Sequence, residues 1–513
     1  MAKVLFVNPV IREESVPRHV PYGMALLAAI AMREGHLVQV YDANAWRLGD
    51  DVLRQVLEAD EWDVVATGGI STAYGYLKKI CRLARAHAPR ALIVAGGGFL
   101  TSMPLDIMRL IPQIDVGVVG EAFVTLVELL AAVDAQTLAP ARIDGLVYRD
   151  ATGSPLLTSE RALIEDLDTL PYPAYELFPL EEVYFKHSQA LFSEEGMLAR
   201  RRLDVNASYG CSLICRFCFH LGTAGDMKYV QDERGQLDVR FDHPGSYTRK
   251  IRYHSPDYVI GLLQHLRARW DVDFVGFLDE NLMTMDQYSG RTWLRAICEG
   301  MIAAGLQPSC IREGVPHDER CRGIHWGGTS HATLCTREIL RLMRQAGCSH
   351  LVYGYESFSA QVLKKLGKGS TPETNIRSFQ WTLEAGIRPI PNQIIGFPSE
   401  DFRSLRDDMQ AWDRLGIVVK PFFATPYPGS EWFHVYRERI LEQYGGDLDA
   451  FLEDLGDATD VTAVICENFD AVELYGLREV MLRRDLRKLD QFERAWRARR
   501  EQVPRPHTPL PVV

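Results

Sequence analysis

The sequence predicts an α/β protein that consists of two strand–helix series followed by a helical C-terminal region. In the first 150 residues, five short apolar runs alternate with helical patterns, which is typical of a doubly wound domain with a parallel sheet. A second alternation begins at Asp204 and contains six candidate strands at barrel-like spacing. After residue 440 the pattern is helical, and it ends in a proline-rich tail, Pro504–Val513, that we expect to be disordered.

The bulk properties favour a multi-domain protein of a reducing compartment. A chain of 513 residues is too long for one ordinary domain, and a net charge of −11 argues against a general binder of nucleic acids or acidic membranes. No apolar run of about 18 or more residues indicates a membrane span, and we expect no signal peptide. Three of the ten cysteines lie within eight residues, which is atypical of a disulfide framework. We therefore expect a cytoplasmic location.

The carboxyl ends of the five N-terminal strands are rich in glycine and other small residues. Ligands of doubly wound domains bind beyond these ends, and small residues let a large flat ligand approach the backbone closely. A dinucleotide is a common ligand of such domains, but no G-x-G-x-x-G follows the first strand. The candidate ligand-binding residues at these ends are Asn8, Pro9, Gly68, Ser71, Thr72, Gly96, Gly97, Gly98, Phe99, Gly120 and Glu121.

A cysteine motif lies near the start of the second series. Cys211, Cys215 and Cys218 have the spacing C-x3-C-x2-C, and Phe217 precedes the third cysteine. Three thiolates in so short a loop can surround one inorganic centre, and thiolates select iron–sulfur clusters, zinc or Cu(I). Structural zinc needs four ligands, but no second cysteine pair with this spacing occurs, and His220 is poorly placed to be the fourth. A structural zinc loop is therefore the alternative to an iron–sulfur cluster.

The motif resembles the signature of the radical SAM enzymes, in which an aromatic residue also precedes the last cysteine. The resemblance implies a [4Fe–4S] cluster that has Cys211, Cys215 and Cys218 as its ligands and is the catalytic centre. In this family the iron without a protein ligand binds the amino and carboxylate groups of S-adenosylmethionine. An electron from the cluster, supplied by an external donor such as flavodoxin or ferredoxin, cleaves this molecule to methionine and a 5′-deoxyadenosyl radical.

The N-terminal series resembles the cobalamin-binding domain that precedes many radical SAM domains. The matching elements are Asn8-Pro9, Gly96-Gly-Gly98 and Gly120-Glu121, which follow the first, fourth and fifth strands. The best-known cobalamin domains carry D-x-H-x-x-G, but none of the 14 histidines here follows an aspartate by two residues. The resemblance therefore implies cobalamin without a named protein ligand to cobalt. The alternative is a degenerate domain that binds no corrinoid.

The second series resembles the partial (β/α)6 barrel of radical SAM enzymes, whose active site lies at the carboxyl ends of the strands. The resemblance implies that groups after strand two receive the amino group of S-adenosylmethionine. It also implies that the acid after strand four binds the ribose hydroxyls and that the segment after strand five packs against adenine. Asp279 or Asn281 could instead cap the next helix. The expected cofactor-binding residues of this domain are Phe217, Asp279, Glu280, Asn281, Glu356, Ser357, Gly396, Phe397 and Pro398.

Changes of pattern along the chain predict where its domains begin and end. A proline-punctuated connector, Asp166–Tyr175, separates the two strand–helix series. The predicted parts are a cobalamin-binding Rossmann-like domain at 1–142, a linker at 143–190, a radical SAM partial barrel at 191–440 and a helical C-terminal region at 441–513.

Two segments, 221–253 and 307–322, are longer than is usual in the family, and we expect them to shape the substrate pocket. The second contains Cys310 and Cys321 beside His317. A second metal site is conceivable there, but loose spacing and a single histidine favour free thiols. Replacing Cys310 by alanine is therefore expected to leave cleavage of S-adenosylmethionine intact.

The expected function is cleavage of S-adenosylmethionine followed by C-methylation of an unactivated carbon in a small-molecule biosynthetic pathway. A corrinoid over the barrel mouth would hold the methyl group, and cofactors rather than side chains carry such chemistry. One alternative is radical cyclisation, hydroxylation or rearrangement without methyl transfer, as in the anaerobic cyclase of bacteriochlorophyll synthesis. The others are a non-catalytic corrinoid or iron–sulfur sensor and a metal-stabilised structural protein. We expect no nucleic-acid or membrane partner.

Overall fold

The computed structural model describes residues 1–213, 215–218, 227–231, 237–241 and 251–502. The predicted fold class is confirmed: a parallel sheet covered by helices on both faces precedes a second parallel sheet and a helical C-terminal region. Most of the long segment 221–253, together with His220 and the proline-rich tail, lies outside the described residues.

The first sheet has seven strands in the order β2-β1-β3-β4-β5-β6-β7. The five strands expected from the sequence are parallel, and the last two are antiparallel to their neighbours. Its strands are β1 (Lys3–Asn8), β2 (Leu37–Asp42), β3 (Val64–Gly69), β4 (Leu92–Gly97), β5 (Val116–Val118), β6 (Leu146–Arg149) and β7 (Pro155–Leu157).

Strands β6 and β7 come from the segment that the sequence predicts to be a linker. Their apolar residues explain the difference, because Leu146 and Val147 are fully buried. Leu146 pairs with Val118 and so covers an edge of the parallel sheet that would otherwise expose unpaired backbone groups. The first part of the predicted linker therefore extends the N-terminal sheet.

Helices cover both faces of this sheet, as its continuous apolar strands require. Buried alanines of α1 and leucines of α7 share one core cluster, and apolar residues of α3 and α4 belong to the cluster on the other face. The helices are α1 (Tyr22–Arg33), α2 (Ala43–Trp46), α3 (Asp50–Glu58), α4 (Tyr74–His87), α5 (Gly98–Ser102), α6 (Pro104–Leu110) and α7 (Ala122–Asp134).

The second sheet contains six parallel strands in the order β17-β16-β15-β14-β13-β8. The strands of this sheet therefore lie side by side in the order in which they occur along the chain. This is the arrangement of an open, partial (β/α)6 barrel. Two short antiparallel pairs, β9 with β12 and β10 with β11, lie outside it. The strands are β8 (Arg202–Val205), β9 (Ser208–Tyr209), β10 (Met227–Gln231), β11 (Leu237–Phe241), β12 (Arg252–Tyr253), β13 (Phe274–Phe277), β14 (His325–Ser330), β15 (Cys348–Glu356), β16 (Arg388–Ile395) and β17 (Phe422–Phe423).

The helices of the barrel connect the carboxyl end of one strand to the amino end of the next. The segment 307–322 follows this rule, because it joins a helix to the amino end of β14. It therefore lies at the opposite end from the barrel mouth, and the expectation that it shapes the substrate pocket is wrong. The helices are α8 (Glu194–Met197), α9 (Pro256–Trp270), α10 (Leu282–Tyr288), α11 (Trp293–Ala303), α12 (Ser309–Glu313), α13 (Arg337–Gln345), α14 (Ala360–Lys365), α15 (Pro372–Glu384) and α16 (Phe402–Leu415).

The C-terminal region is helical, as predicted, and contacts both preceding parts. The Tyr74 hydroxyl donates to the Asp449 carboxylate at 2.5 Å, and Lys78 pairs with the same carboxylate. The N-terminal domain also contacts the barrel directly, since the Tyr22 hydroxyl donates to the Asn206 carbonyl at 3.2 Å. The C-terminal helices are α17 (Glu431–Val435), α18 (Arg437–Gln443), α19 (Leu448–Glu453), α20 (Ala471–Arg483) and α21 (Leu486–Gln502).

Within the described part of the chain, no helix combines the length and the apolar character that a membrane crossing requires.

Candidate functional site

The carboxyl edge of the first sheet meets the cysteine loop of the second. Phe123, just after β5, packs edge to face against Tyr209, with the ring centroids 5.8 Å apart. Glu121 forms an ion pair with Arg252 at 2.8 Å, and the Arg252 guanidinium lies 5.7 Å from the centre of the Tyr209 ring. Tyr209 precedes the first cysteine of the motif by two residues. The predicted sites of the two domains therefore share one interface.

The three cysteines lie in a loop that backbone contacts hold in place. The Cys218 amide donates to the Cys215 carbonyl at 2.9 Å, and the Arg216 amide donates to the Leu366 carbonyl at 3.1 Å. Cys215 is buried, whereas Cys211 and Cys218 are half-buried. Burial raises the pKa of the Cys215 thiol to about 12, so a thiolate there requires a neighbouring cation. A metal centre would supply that charge.

The aromatic residue before the third cysteine belongs to a row of rings. The Phe217 ring lies 5.7 Å from Trp432, and Trp432 lies 5.9 Å from Phe397. The Trp432 amide also donates to the carbonyl of Arg216. This row joins the cysteine loop to the segment Gly396–Pro398, which is expected to receive adenine. The sequence does not indicate Trp432, because it lies more than 200 residues from the cysteine motif.

Glu356 ends β15 in a conformation that few residues other than glycine adopt, with φ of +61°. Its carboxylate is buried and pairs with the Lys368 ammonium at 2.9 Å. Burial lowers the pKa of Lys368, but the Glu356 carboxylate and the Cys215 sulfur raise it by more. The pKa of Lys368 therefore lies above its ordinary value. A lysine flanked by two glycines shortly after a barrel strand is the signal that could have identified Lys368.

Asp279 is directed towards the backbone that leads into the cysteine loop. Its carboxyl group accepts hydrogen bonds from the Ser208 hydroxyl and, at 3.2 Å, from the Ala207 amide. Burial raises the pKa of Asp279 to about 7. Both oxygens are thus engaged inside the protein. The contacts of Asp279 in the structure are thus with the segment that leads into the loop, whereas the sequence led us to expect contact with S-adenosylmethionine.

Asn281 is better suited than Asp279 to contact a ligand. Its side chain is 2% exposed, and neither its amide oxygen nor its amide nitrogen has a hydrogen-bond partner among the described residues. It begins α10 without capping that helix through its side chain. A buried amide without partners is unfavourable unless a ligand or water satisfies it, and the oxygen can accept from an ammonium group. Glu280 lies half-buried between the two residues.

Two buried carboxyl groups support the ends of β15 and β16. Asp408 accepts from the Ser357 hydroxyl at 2.9 Å and from the Phe358 amide, and Glu400 accepts from the Gly396 amide at 2.5 Å. Burial raises the pKa of Asp408 to about 7 and that of Glu400 well above its usual range, the latter with help from Asp408. The Ser357 hydroxyl therefore faces the protein interior, and Gly396, at φ of +93°, is held by its own backbone bond.

At the carboxyl edge of the first sheet, two of the residues expected to contact cobalamin direct their side chains into the domain core. The Asn8 side chain donates to Asp42 at 2.7 Å, and the buried Phe99 ring packs edge to face on Tyr74 at 5.3 Å. Strand-end residues must complete the domain core as well as face a ligand, and their sequence position does not separate the two roles. The backbone of Asn8 and Phe99 still lies at the edge.

Two glycines of the same edge, Gly68 and Gly97, pack directly against the backbone of a neighbouring strand, and we call them the glycine floor. A Cβ atom on Gly68 would lie 2.6 Å from the Gly96 carbonyl oxygen, and one on Gly97, which has φ of +88°, would lie 2.8 Å from the Gly69 oxygen. Such close approach of backbone requires glycine. The buried Thr72 hydroxyl has no partner among the described residues, and it points to a ligand or water at this edge. The remaining predicted residues of this edge are Pro9, Ser71, Gly98 and Gly120.

Two family models match the chain in the same order as its two sheets. The B12 binding domain matches residues 9–130, and the radical SAM superfamily matches residues 205–411. The parallel strands of the first sheet lie in the order β2-β1-β3-β4-β5, so the strand order reverses between β1 and β3. Ligands of doubly wound domains bind beyond the carboxyl ends of the strands at such a point. The same carboxyl edge of the sheet meets the cysteine loop.

Two similar sequences illustrate the range of relatives. A protein named as an uncharacterized methyltransferase of Pyrococcus horikoshii is 25% identical over 446 residues, which cover 86% of this chain and 84% of that protein. The anaerobic magnesium-protoporphyrin IX monomethyl ester cyclase of Cereibacter sphaeroides is 24% identical over 430 residues, or 83% of this chain and 61% of that protein.

Two solved structures share the fold. The radical S-adenosylmethionine methyltransferase TsrM from Kitasatospora setae superposes with a TM-score of 0.64 at 17% identity and covers 85% of this chain and 76% of TsrM. The cobalamin-dependent radical enzyme OxsB gives a TM-score of 0.60 at 17% identity, and the chain spans 56% of the length of OxsB. Because a B12 binding domain and a radical SAM domain are matched in this order, the chain belongs to the cobalamin-dependent radical SAM enzymes, whose cofactors are a [4Fe–4S] cluster, S-adenosylmethionine and cobalamin.

Proposed function

We propose that this enzyme transfers a methyl group to an unactivated carbon of a small molecule. The observation that carries the proposal is the contact between the ligand edge of the first sheet and the cysteine loop, through Phe123–Tyr209 and Glu121–Arg252. A corrinoid on that edge would lie next to the cluster. When bound, these cofactors supply a radical that abstracts hydrogen and a methyl group that replaces it.

The side chains that would hold S-adenosylmethionine lie at the carboxyl ends of three barrel strands, β13, β15 and β16. Asn281 offers the amino group a buried amide oxygen that has no hydrogen-bond partner in the described part of the chain. Glu356, fixed by Lys368, offers a carboxylate that can accept from two vicinal ribose hydroxyls. The segment from Gly396 to Pro398, fixed by the bond from Gly396 to Glu400, offers backbone and an apolar ring to adenine. These groups suit the known parts of that molecule, in the order in which their strands lie side by side.

The cysteine loop would hold the cluster. Cys211, Cys215 and Cys218 supply three thiolates from one loop, and thiolates are the ligands that hold iron–sulfur clusters. Arg252 and Tyr209 lie where this loop meets the first sheet.

The glycine floor of the first sheet would hold the corrinoid. Gly68 and Gly97 pack against the backbone of a neighbouring strand and present no side chain at the strand ends. The unsatisfied hydroxyl of Thr72 offers a polar contact at its rim. A macrocycle has the flat shape that such a surface accommodates, and the backbone amides can bind its polar side groups.

The share of each relative's length that this chain matches favours methylation over cyclisation. The methyltransferase-named relative from Pyrococcus horikoshii is spanned over 84% of its length, whereas the cyclase of Cereibacter sphaeroides is spanned over 61%. Extra length of the cyclase therefore has no counterpart in the matched region of this chain. Radical cyclisation is the second candidate, since three cyclases are similar to this chain.

The test uses reduced protein that carries both cofactors, S-adenosylmethionine labelled in its methyl group, and the small-molecule fraction of a cell extract. Methyl transfer predicts a product that contains the label, together with 5′-deoxyadenosine and S-adenosylhomocysteine in about equal amounts because each turnover consumes two molecules of S-adenosylmethionine. The variant Cys215→Ala is the control. An unlabelled product that forms with 5′-deoxyadenosine but without S-adenosylhomocysteine would favour cyclisation. Absence of all three would favour a sensor.

Enzymes of this family need a reductant and act on small molecules. We propose that a flavodoxin or a ferredoxin reduces the cluster in the cell. Replacing a chemical reductant by either protein with its reductase should sustain formation of 5′-deoxyadenosine.

A further inference from the structure

A second group of metal-binding side chains lies at the amino end of the barrel. It consists of Cys310 in α12, His317 and Cys321 in the following turn, and His325 at the first position of β14. One ligand atom from each residue lies within 4.8 Å of the other three. His325 does not stand out in the sequence, because a histidine at the start of a buried strand resembles a core residue. With it, the spacing is C-x6-H-x3-C-x3-H.

The distances within this group are those of a tetrahedral site. The His317 Nδ1 and His325 Nε2 atoms are 3.2 Å apart. The sulfur–nitrogen distances are 3.7 Å for Cys310 to His317, 3.6 Å for Cys310 to His325 and 3.9 Å for Cys321 to His325. A zinc ion with Zn–S of about 2.3 Å and Zn–N of about 2.0–2.1 Å separates two nitrogen ligands by about 3.4 Å and a sulfur–nitrogen pair by about 3.6 Å.

The surroundings of the four side chains also suit metal ligands. Cys310 and His325 are 6% and 3% exposed. The Cys310 amide and the Ser309 hydroxyl both donate towards the Cys321 sulfur, at 3.5 and 3.7 Å, as donors do around a bound thiolate. A hydrogen bond between the two imidazoles would explain one of these contacts but not the convergence of both thiols.

We propose that Cys310, His317, Cys321 and His325 bind one zinc ion in a closed, structural site. Four protein ligands leave no open position for a substrate, which is the mark of a structural rather than a catalytic zinc. The ion would fasten the segment 307–322 to the first residue of β14. The site is separate from the cluster, because the six residues of β14 place its two ends about 17 Å apart.

A single ion explains the geometry better than a second cluster does. A two-iron cluster with two cysteines and two histidines binds each pair to a different iron, which spreads the ligand atoms apart. Here all four ligand atoms converge within 4.8 Å. Copper(I) and iron prefer sets richer in sulfur or with open positions, whereas two thiolates and two imidazoles in a tetrahedron are a standard set for zinc.

The experiment measures zinc, iron and cobalt in full-length protein that was supplied with all three during reconstitution and then desalted. We expect about one zinc per chain in the wild type, and X-ray absorption at the zinc edge should show two sulfurs at about 2.3 Å and two nitrogens at about 2.0–2.1 Å. The variants His317→Ala and Cys321→Ala should lose zinc at least tenfold and keep the iron of the cluster. Cys81→Ala, a buried cysteine of α4, is the matched control and should keep its zinc.

The X-ray absorption spectrum of the wild-type protein tests the proposal even if the variants fail to fold. Wild-type protein that retains no zinc would overturn the proposal, and so would a zinc signal with a different set of ligands. Equal zinc in the wild type and in folded His317→Ala or Cys321→Ala protein would overturn it as well, because the ion would then be bound elsewhere.

Discussion

The pair between Glu356 and Lys368 provides a quantitative test of how the barrel mouth is built. The two side chains are each 7% exposed, and their charged atoms are 2.9 Å apart. Substituting Lys368 by methionine keeps the length of the side chain and removes its charge. The Glu356 carboxylate is then left buried beside an apolar group, while its backbone remains in the left-handed region.

The expected effect is large because one partner of a buried pair is lost. Removing one member of such a pair typically destabilises a protein by about 3–5 kcal/mol, since the remaining charge has no compensation. A domain of this size loses about 2–4 °C in melting temperature for each kcal/mol, which gives a decrease of about 6–20 °C. The double variant Glu356→Gln with Lys368→Met has no unpaired charge and should recover most of this loss.

The assay is thermal unfolding of cluster-loaded protein, followed by circular dichroism under anaerobic conditions. Lys79→Met is the matched control, because Lys79 pairs with Asp50 at 3.1 Å on the surface, where such a pair contributes at most about 1 kcal/mol. We expect Lys368→Met to lower the melting temperature several times more than Lys79→Met. Equal shifts for the two variants, or no recovery in the double variant, would refute the reasoning.

Three further predictions concern the same site. Cys215→Ala should lose the cluster iron and the cleavage of S-adenosylmethionine but keep bound cobalt, and a metal assay that shows loss of both metals would contradict separate sites. Asn281→Leu removes a buried hydrogen-bond acceptor, so equilibrium dialysis should show about tenfold weaker binding of S-adenosylmethionine with little change in melting temperature. The pKa of Asp279 is raised to about 7, so the folded state retains a proton that the unfolded state loses near pH 4. Stability should therefore fall as the pH rises from about 4 to 7, and the fall should be smaller in Asp279→Asn; an unchanged slope would contradict the raised pKa.

Much of the architecture could be predicted because it depends on local patterns. The apolar runs of both sheets and the spacing of the cysteine motif are visible within a few residues of sequence, and the structure has all eleven strands that were expected. The family and its cofactors followed from the motif and from the order of the two domains. None of these inferences required knowledge of which distant residues meet.

The remainder depends on contacts between distant segments. Lys368 and Trp432 reach the cysteine loop from 150 and more than 200 residues away, and His325 completes a metal site from the start of a strand. Conversely, Asp279 and Asn8 occupy expected positions, but their side chains bond to neighbouring backbone or to a buried carboxylate. Strand ends are identified by pattern, whereas the direction of each side chain is decided by the packing around it.

The central claim is that one chain holds a corrinoid and a cluster at a shared interface. The most direct measurement is the cobalt and iron content of anaerobically reconstituted protein that was given hydroxocobalamin and desalted, with the ultraviolet–visible spectrum recorded in parallel. We predict about one cobalt and about four irons per chain, with the absorption of both cofactors. Iron without cobalt would contradict the claim, because the glycine floor at Gly68 and Gly97 would then hold no corrinoid and methyl transfer would have no donor.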